Sequence, residues 1–254
     1  MDLKSRLRTS DRPVLGAFIG ISSPALVEML GHAGYDFVIL DMEHGVFNPE
    51  GVEGCLRASR AANVPCIVRI ADLEAGSIQS TLDMGADGIQ VPQVETAAQA
   101  SMAVEFSHFP PVGKRGWGSA TRSADFGFRS PRLARDRAQR ELLTSIQIES
   151  KAGAENLANV LEVDGVDVVF IGTSDLSIDY GYDSPNDPGL VPVVEGLISA
   201  IAAAGKIPGI HISDWSRIGQ LRELGARYLT ISAPLVIRDA FANQVKDFSS
   251  KVVP

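Results

Sequence analysis

The strongest constraint on this chain is an alternation: a short apolar run, then a helical stretch, repeated about eight times. "VLGAFIG" (14–20) leads into "SSPALVEMLGHAG" (22–34), which opens on Ser and Pro in helix-start positions and stops at Gly34. "FVILD" (37–41) precedes a helix starting near Pro49, "PCIVRI" (65–70) precedes "AGSIQSTLDMGA", and "GIQVPQV" (88–94) precedes "ETAAQASMAVEFSH". "LTSIQIES" (143–150), "VDVVFIG" (166–172), "IPGIHIS" (207–213) and "RYLTIS" (227–232) continue the pattern, each with a helical stretch behind it. Short apolar strands alternating with helices are the signature of a parallel sheet covered by helices. An open dinucleotide-binding sheet usually has about six strands and a glycine fingerprint after the first. Here "GISSPA" follows the first strand and lacks that fingerprint. The expectation is an α/β chain folded as one (β/α)8 barrel over residues 1–254. One segment, 107–130, rich in Gly, Pro, Ser and Arg, breaks the rhythm and reads as a functional loop.

Bulk composition narrows the function classes. A net charge of −8 without a long basic run argues against nucleic acid and anionic membranes, whose binding needs clustered Lys and Arg. Cys55 and Cys66 form neither a disulfide framework nor a zinc spacing, which suits a reducing cytoplasm. The N-terminal stretch lacks the apolar core of a signal peptide, and no apolar run approaches the roughly 20 residues of a membrane span.

In such barrels chemistry sits at the C-terminal ends of the strands. Those ends carry Asp41, Glu43 and His44 after the second strand, Arg69 on the third, Gln93 on the fourth, and Gln147 with Glu149 on the fifth. Asp175 in "TSDLS" follows the sixth, His211 and Ser213 lie on the seventh, and Ser232 ends the eighth. Arg69 and Glu149 are charges inside apolar strands, which need a partner or a metal. Either is a structural ion pair when taken alone; together at one mouth they indicate a polar site. Glu149 and Asp175 offer two hard oxygen ligands, suited to Mg²⁺ or Mn²⁺, with Co²⁺ admissible, and they leave positions open for water and substrate. Asp175 also fits a helix N-cap, and the amides of "GTSD" an anion-binding turn. His44 is of the residue type suited to proton transfer near neutrality, and it reads as the acid/base candidate unless it merely anchors the loop after the second strand. His211 either points into the pocket or bonds within the barrel, and His32 and His108 read as surface residues.

The ordered set "YDFVILDMEHG", "CIVRI", "LDMGADGIQVPQVETAAQA", "PPVGKRGWG", "IQIES" and "VDGVDVVFIGTSDLS" resembles the HpcH/HpaI aldolases, the metal-dependent class II pyruvate aldolases, over about residues 14–240. The resemblance implies a barrel of the phosphoenolpyruvate/pyruvate type. It further implies a divalent metal on Glu149 and Asp175 that holds the carboxylate and keto oxygens of pyruvate. Arg69 would lie at the keto oxygen, and His44 would be the acid/base group, oriented by Asp83 of a neighbouring subunit. Gln147 would support the substrate end, and the amides of Thr173, Ser174 and Asp175 its carboxylate. The substrates would be pyruvate and an aldehyde, and the assembly a homo-oligomer, a hexameric trimer of dimers with the last helix swapped. Thr173 stands where the family often has proline, His211 where an apolar residue is common, and Trp117 is bulky for its loop. Arg122, on the same loop, meets either an acidic aldehyde or solvent. A Schiff-base route needs a strand-end lysine, and Lys114, Lys151 and Lys206 fall in loops or helix starts. The same metal and enolate would serve a CoA-thioester lyase of the citrate or malyl-CoA type, but no basic patch for a nucleotide stands out. A silent small-acid-binding barrel would show a broken constellation, and every position here is filled.

Overall fold

In a computed structural model of the chain, which describes residues 2–10 and 12–252, eight strands close into one parallel barrel in chain order. They are β1 (Val14–Ile19), β2 (Phe37–Asp41), β3 (Cys66–Arg69), β4 (Gly88–Val91), β5 (Leu143–Ile148), β6 (Val168–Ile171), β7 (Ile207–His211) and β8 (Tyr228–Ser232). Helix α1 (Leu3–Thr9) precedes the barrel; α2 (Pro24–His32), α3 (Pro49–Ala61), α4 (Ala75–Asp83) and α5 (Ala97–Ser107) follow the first four strands. Between β4 and β5 lies a further helix, α6 (Pro131–Glu141). After β5 come α7 (Lys151–Glu155) and α8 (Leu157–Leu161), and after β6 come α9 (Thr173–Asp179) and α10 (Val191–Ala203). The chain ends with α11 (Ile218–Glu223) and α12 (Ala233–Val252). The barrel is therefore the one expected, with strand ends trimmed: Glu149 and Ser213 lie just beyond their strands.

Register fixes which side chains face inward. Asp41 pairs with Arg69, Arg69 with Gln90, Gln90 with Ser145, Gln147 with Phe170, and Phe170 with Gly209. Because side chains alternate along a strand, this set shares the inner surface. Low in the barrel, Phe37 stacks on Tyr228 with ring centroids 4.3 Å apart. Gly16 makes room for that pair, since a Cβ there would sit 2.2 Å from the Phe37 ring. Leu3 and Leu7 of α1 join this inner cluster and close the barrel floor. Buried Lys4, also on α1, bridges Asp167 (2.9 Å) and the Leu142 carbonyl (3.1 Å).

One surface expectation fails. His108 is buried, with Nε2 3.2 Å from Thr144 Oγ1, and its pKa is pushed down to about 4, first by burial and then by the Lys4 charge. It follows directly on α5, and α5 packs on β5, so its ring is drawn inward. His32 is exposed as expected.

Candidate active site

The upper rim of the barrel gathers Asp41, His44, Arg69, Gln147, Glu149, the Thr173–Asp175 turn and His211 around one cavity. Arg69 is the organising group. Its Nε donates to Asp41 Oδ1 (2.9 Å) and its Nη2 to Asp41 Oδ2 (2.5 Å), a two-point grip that fixes the guanidinium plane. The adjacency follows from the β2–β3 register. Asp41 Oδ1 also accepts from the backbone N–H groups of Glu43 (3.2 Å) and His44 (3.1 Å), so the loop after β2 is tied to the same carboxylate. Arg69 Nη1 lies 3.0 Å from Glu43 Oε2, out of hydrogen-bond alignment, and that buried oxygen has no hydrogen-bond partner. Phe18 covers the guanidinium from the side, 5.1 Å from ring centre to Cζ.

Glu149 is 6% exposed and held by two hydrogen bonds. The Gln93 backbone N–H donates to Oε1 (2.7 Å), from a residue in the left-handed region at φ 55°. A non-glycine residue held there costs energy and is typical of functional sites. Gln147 Nε2 donates to Oε2 (2.5 Å), Gln90 Nε2 donates to Gln147 Oε1, and Tyr228 donates to Gln90 Oε1 (3.4 Å). This buried relay sets every amide orientation beneath the carboxylate. Gly172 makes the remaining space, because a Cβ there would lie 2.4 Å from Glu149 Oε2. Burial raises the Glu149 pKa, and the Glu43 and Asp175 charges raise it further, against the two hydrogen bonds that lower it.

Asp175 lies in the first turn of α9, with Gly172 rather than Asp175 at the N-cap; its carboxylate has no hydrogen-bond or ion-pair partner among the described residues. Glu149 and Asp175 thus offer two carboxylates at one cavity, hard oxygen donors that fit a divalent cation, while Glu43 is paired with Arg69. Three or more His, Cys, Asp or Glu side chains do not converge on one metal position among the described residues. A cation here would take two carboxylates, Glu149 and Asp175, and fill its shell with water or substrate.

His44 stands at the rim with its side chain 62% exposed, Nε2 3.8 Å from Glu43 Oε2. His211 reaches the same cavity, and burial pushes its pKa down. Three expected site residues are not brought to this mouth within the chain. Asp83 ends α4 and pairs with Arg115 at 2.7 Å. Trp117 packs edge-on against Phe109, with ring centroids 5.7 Å apart, and Arg122 lies beside Gly85 among the charges of Arg57 and Arg60. Helices in this fold run back toward the strand starts, so the end of α4 and its neighbours lie away from the mouth. Conversely, Asp41, Glu43, Gln93, Gln90 and Gly172 shape the site and had no assigned role in the sequence. The opposite charges ending the neighbouring strands β2 and β3 were the available signal.

The HpcH/HpaI aldolase/citrate lyase family profile matches residues 15–231, most of the chain. The chain belongs to this family. Among similar proteins is a hydroxypyruvate/pyruvate aldolase of Paraburkholderia phytofirmans, 34% identical, with 92% of each chain covered. Another is a 4-hydroxy-2-oxo-heptane-1,7-dioate aldolase of Salmonella heidelberg, 35% identical over 87% of this chain and 84% of that one. A solved HpcH/HpaI aldolase/citrate lyase family structure from Burkholderia cenocepacia J2315 superposes with a TM-score of 0.87 and 32% identity, covering 97% of this chain and 98% of that one. These relatives are carbon–carbon lyases built on the same barrel, so the HpcH/HpaI chain described here is an enzyme of that kind. No helix among the described residues is long and apolar enough to cross a membrane.

Proposed function

We propose that this HpcH/HpaI enzyme forms the enolate of pyruvate and adds it to an aldehyde, or runs the same reaction backwards on a 4-hydroxy-2-oxo acid. The observation that carries the reading is the fixed Arg69 guanidinium facing the same cavity as the buried Glu149 carboxylate. The amides opening α9, which have no side-chain cap, suit the substrate carboxylate. Arg69 then stands at the keto oxygen, and its charge stabilises the negative charge that develops as a methyl proton leaves. His44, directly or through one water, takes that proton. The electron pair left on carbon moves into the enolate and attacks the aldehyde carbonyl carbon, and the new alkoxide takes up a proton. In the reverse direction a base removes the 4-hydroxyl proton, the bond between C3 and C4 breaks, and the enolate is protonated to pyruvate. A divalent cation, Mg²⁺, Mn²⁺ or Co²⁺, held by Glu149 and Asp175 would supply Lewis-acid polarisation of the keto group. Gln147 aims Glu149 through its hydrogen bond, which favours the carboxylate form against the burial that raises its pKa.

Asp83, Trp117 and Arg122 enter this reading as contributions from a second copy, with Asp83 steering His44. The exposed apolar stripe of α12, Phe241, Val245 and Phe248, supports a homo-oligomer in which that helix packs on a neighbour, consistent with a hexamer. Cys55 and Cys66 are both free and buried, which suits the cytoplasm. The test is pyruvate release from a 4-hydroxy-2-oxo acid, followed by NADH consumption with lactate dehydrogenase. Arg69→Ala is expected to lower kcat about 10²- to 10³-fold, the usual cost of removing an oxyanion donor. Release that survives chelation of divalent ions and the loss of Arg69 would sink the reading.

A further inference from the structure

The inside of a (β/α)8 barrel is ordinarily filled by layers of apolar, mostly branched side chains. Here it carries a polar column. Gln90 on β4, Ser145 and Gln147 on β5 and Tyr228 on β8 are each 1% exposed or less. Burying an amide costs free energy unless its donors and acceptors are matched, and an apolar side chain of the same volume would fill the space as well. Packing alone therefore does not account for the column.

The column also has a direction. An ionised Glu149 can only accept, so Gln147 must present its Nε2 to it, as it does at 2.5 Å. That turns Gln147 Oε1 into the barrel, where Gln90 Nε2 donates to it. Gln90 Oε1 is then left to accept, and the hydroxyls of Tyr228 and Ser145 both donate to it, each from 3.4 Å. An amide oxygen has two acceptor sites, and both are filled. Tyr228 is itself clamped between the rings of Phe37 and Phe170, which makes the lower end rigid. Gln147 Oε1 has no other donor among the described residues. Without Gln90, nothing holds that amide against turning its oxygen toward Glu149.

We propose that Gln90 and Tyr228, neither of which lines the rim cavity, are positioning residues: they fix the Gln147 amide and, through it, the hold of Glu149 on a divalent cation. The inference rests on the reading that Glu149 binds such a cation. It deepens that reading with residues that touch neither metal nor substrate.

The test is Mn²⁺ binding without substrate, titrated on the metal-free full chain by electron paramagnetic resonance of the free ion, with a urea midpoint for every variant. Gln90→Met keeps the volume and removes the donor. Its Kd for Mn²⁺ is expected to rise about 10- to 100-fold, the usual cost of losing an outer partner of a metal ligand. Tyr228→Phe with Ser145→Ala should weaken binding in the same direction. Added to Gln90→Met, that pair should cost nothing further, because both changes act through one relay. Thr230→Val is the control, since that buried hydroxyl lies on the same inner face with no hydrogen-bond partner, and its Kd is expected to be unchanged. Excess Mn²⁺ should restore exchange of the pyruvate methyl protons in Gln90→Met but not in Glu149→Ala, a rescue that a loosened barrel would not show.

A folded Gln90→Met protein that binds Mn²⁺ as tightly as wild type overturns the inference, and so does additive loss in the triple variant. If Gln90→Met does not fold, the Tyr228→Phe, Ser145→Ala pair decides by the same criterion. Unchanged binding in the relay variants beside lost binding in Glu149→Ala leaves the cation reading standing. Equal binding by wild type and Glu149→Ala overturns that reading and this inference with it.

Discussion

Single residues carry the sharpest tests. Gly172→Ala adds one methyl against Glu149, and the carboxylate must move because its other side is held by Gln93 and Gln147. A displacement on the order of 1 Å at a reacting centre costs about 10²-fold. Turnover should fall by that order with folding intact, as judged by circular dichroism and urea titration; a fully active variant would show that Glu149 is not position-critical. His108 gives a prediction about acid stability. Its imidazole stays neutral until about pH 4 in the folded chain, against 6.5 unfolded. Above pH 6.5 neither state binds the proton; below it the unfolded chain takes one up first. Stability therefore falls as pH drops from 6.5 toward 4, by up to about 3 kcal/mol from this group. His108→Gln should flatten that limb of the stability–pH curve, and an unchanged slope would refute the assignment. This histidine was illegible in the sequence because burial came from packing of α5 on β5, not from any local pattern. Gly172 was illegible for a related reason: its role appears only once Glu149, 23 positions earlier, is folded against it.

At the level of elements, the eight strands were readable because each is an unbroken apolar run between turn residues, as doubly covered strands must be. Two helices were not. Helix α1 has seven residues, too short for a clear period, yet Leu3 and Leu7 seal the barrel floor. Helix α6 reads "PRLARDRAQRE", with Ala134 its one buried residue, so it offers hardly any hydrophobic stripe. Its start was nonetheless signalled by Ser130 and Pro131, and Ser130 does accept from the Leu133 N–H. If α1 is structural, Leu7→Ala should cost about 2–4 kcal/mol, the range for a buried leucine. Equilibrium urea unfolding reads this directly, and a loss below about 1 kcal/mol would make α1 a loosely attached segment.

For the whole molecule, α12 leaves Val236, Phe241, Val245 and Phe248 exposed, each by half or more. Such a stripe on a 20-residue helix with one buried residue demands a partner. Phe241→Asp with Phe248→Asp should shift the particle mass toward the monomer in light scattering, and activity should fall with it if Asp83 of a neighbour completes the site. An unchanged mass would leave the helix solvent-exposed and Asp83 tied only to Arg115. The site itself was legible in its charged members, whose presence in apolar strands is costly without a purpose. Its geometry was not, because the Arg69–Asp41 grip and the Gln90–Gln147–Glu149 relay depend on strand register.

The most direct measurement of the proposed chemistry is proton exchange on pyruvate itself. Metal-free and Mn²⁺-loaded protein are incubated with pyruvate in D₂O, and the methyl signal is followed by NMR, with Glu149→Ala as control. Metal-dependent loss of the signal, absent in Glu149→Ala, is the expected result and establishes enolate formation before any aldehyde is identified. A methyl signal that persists with Mg²⁺, Mn²⁺ and Co²⁺ on folded protein would contradict enolate formation at this site.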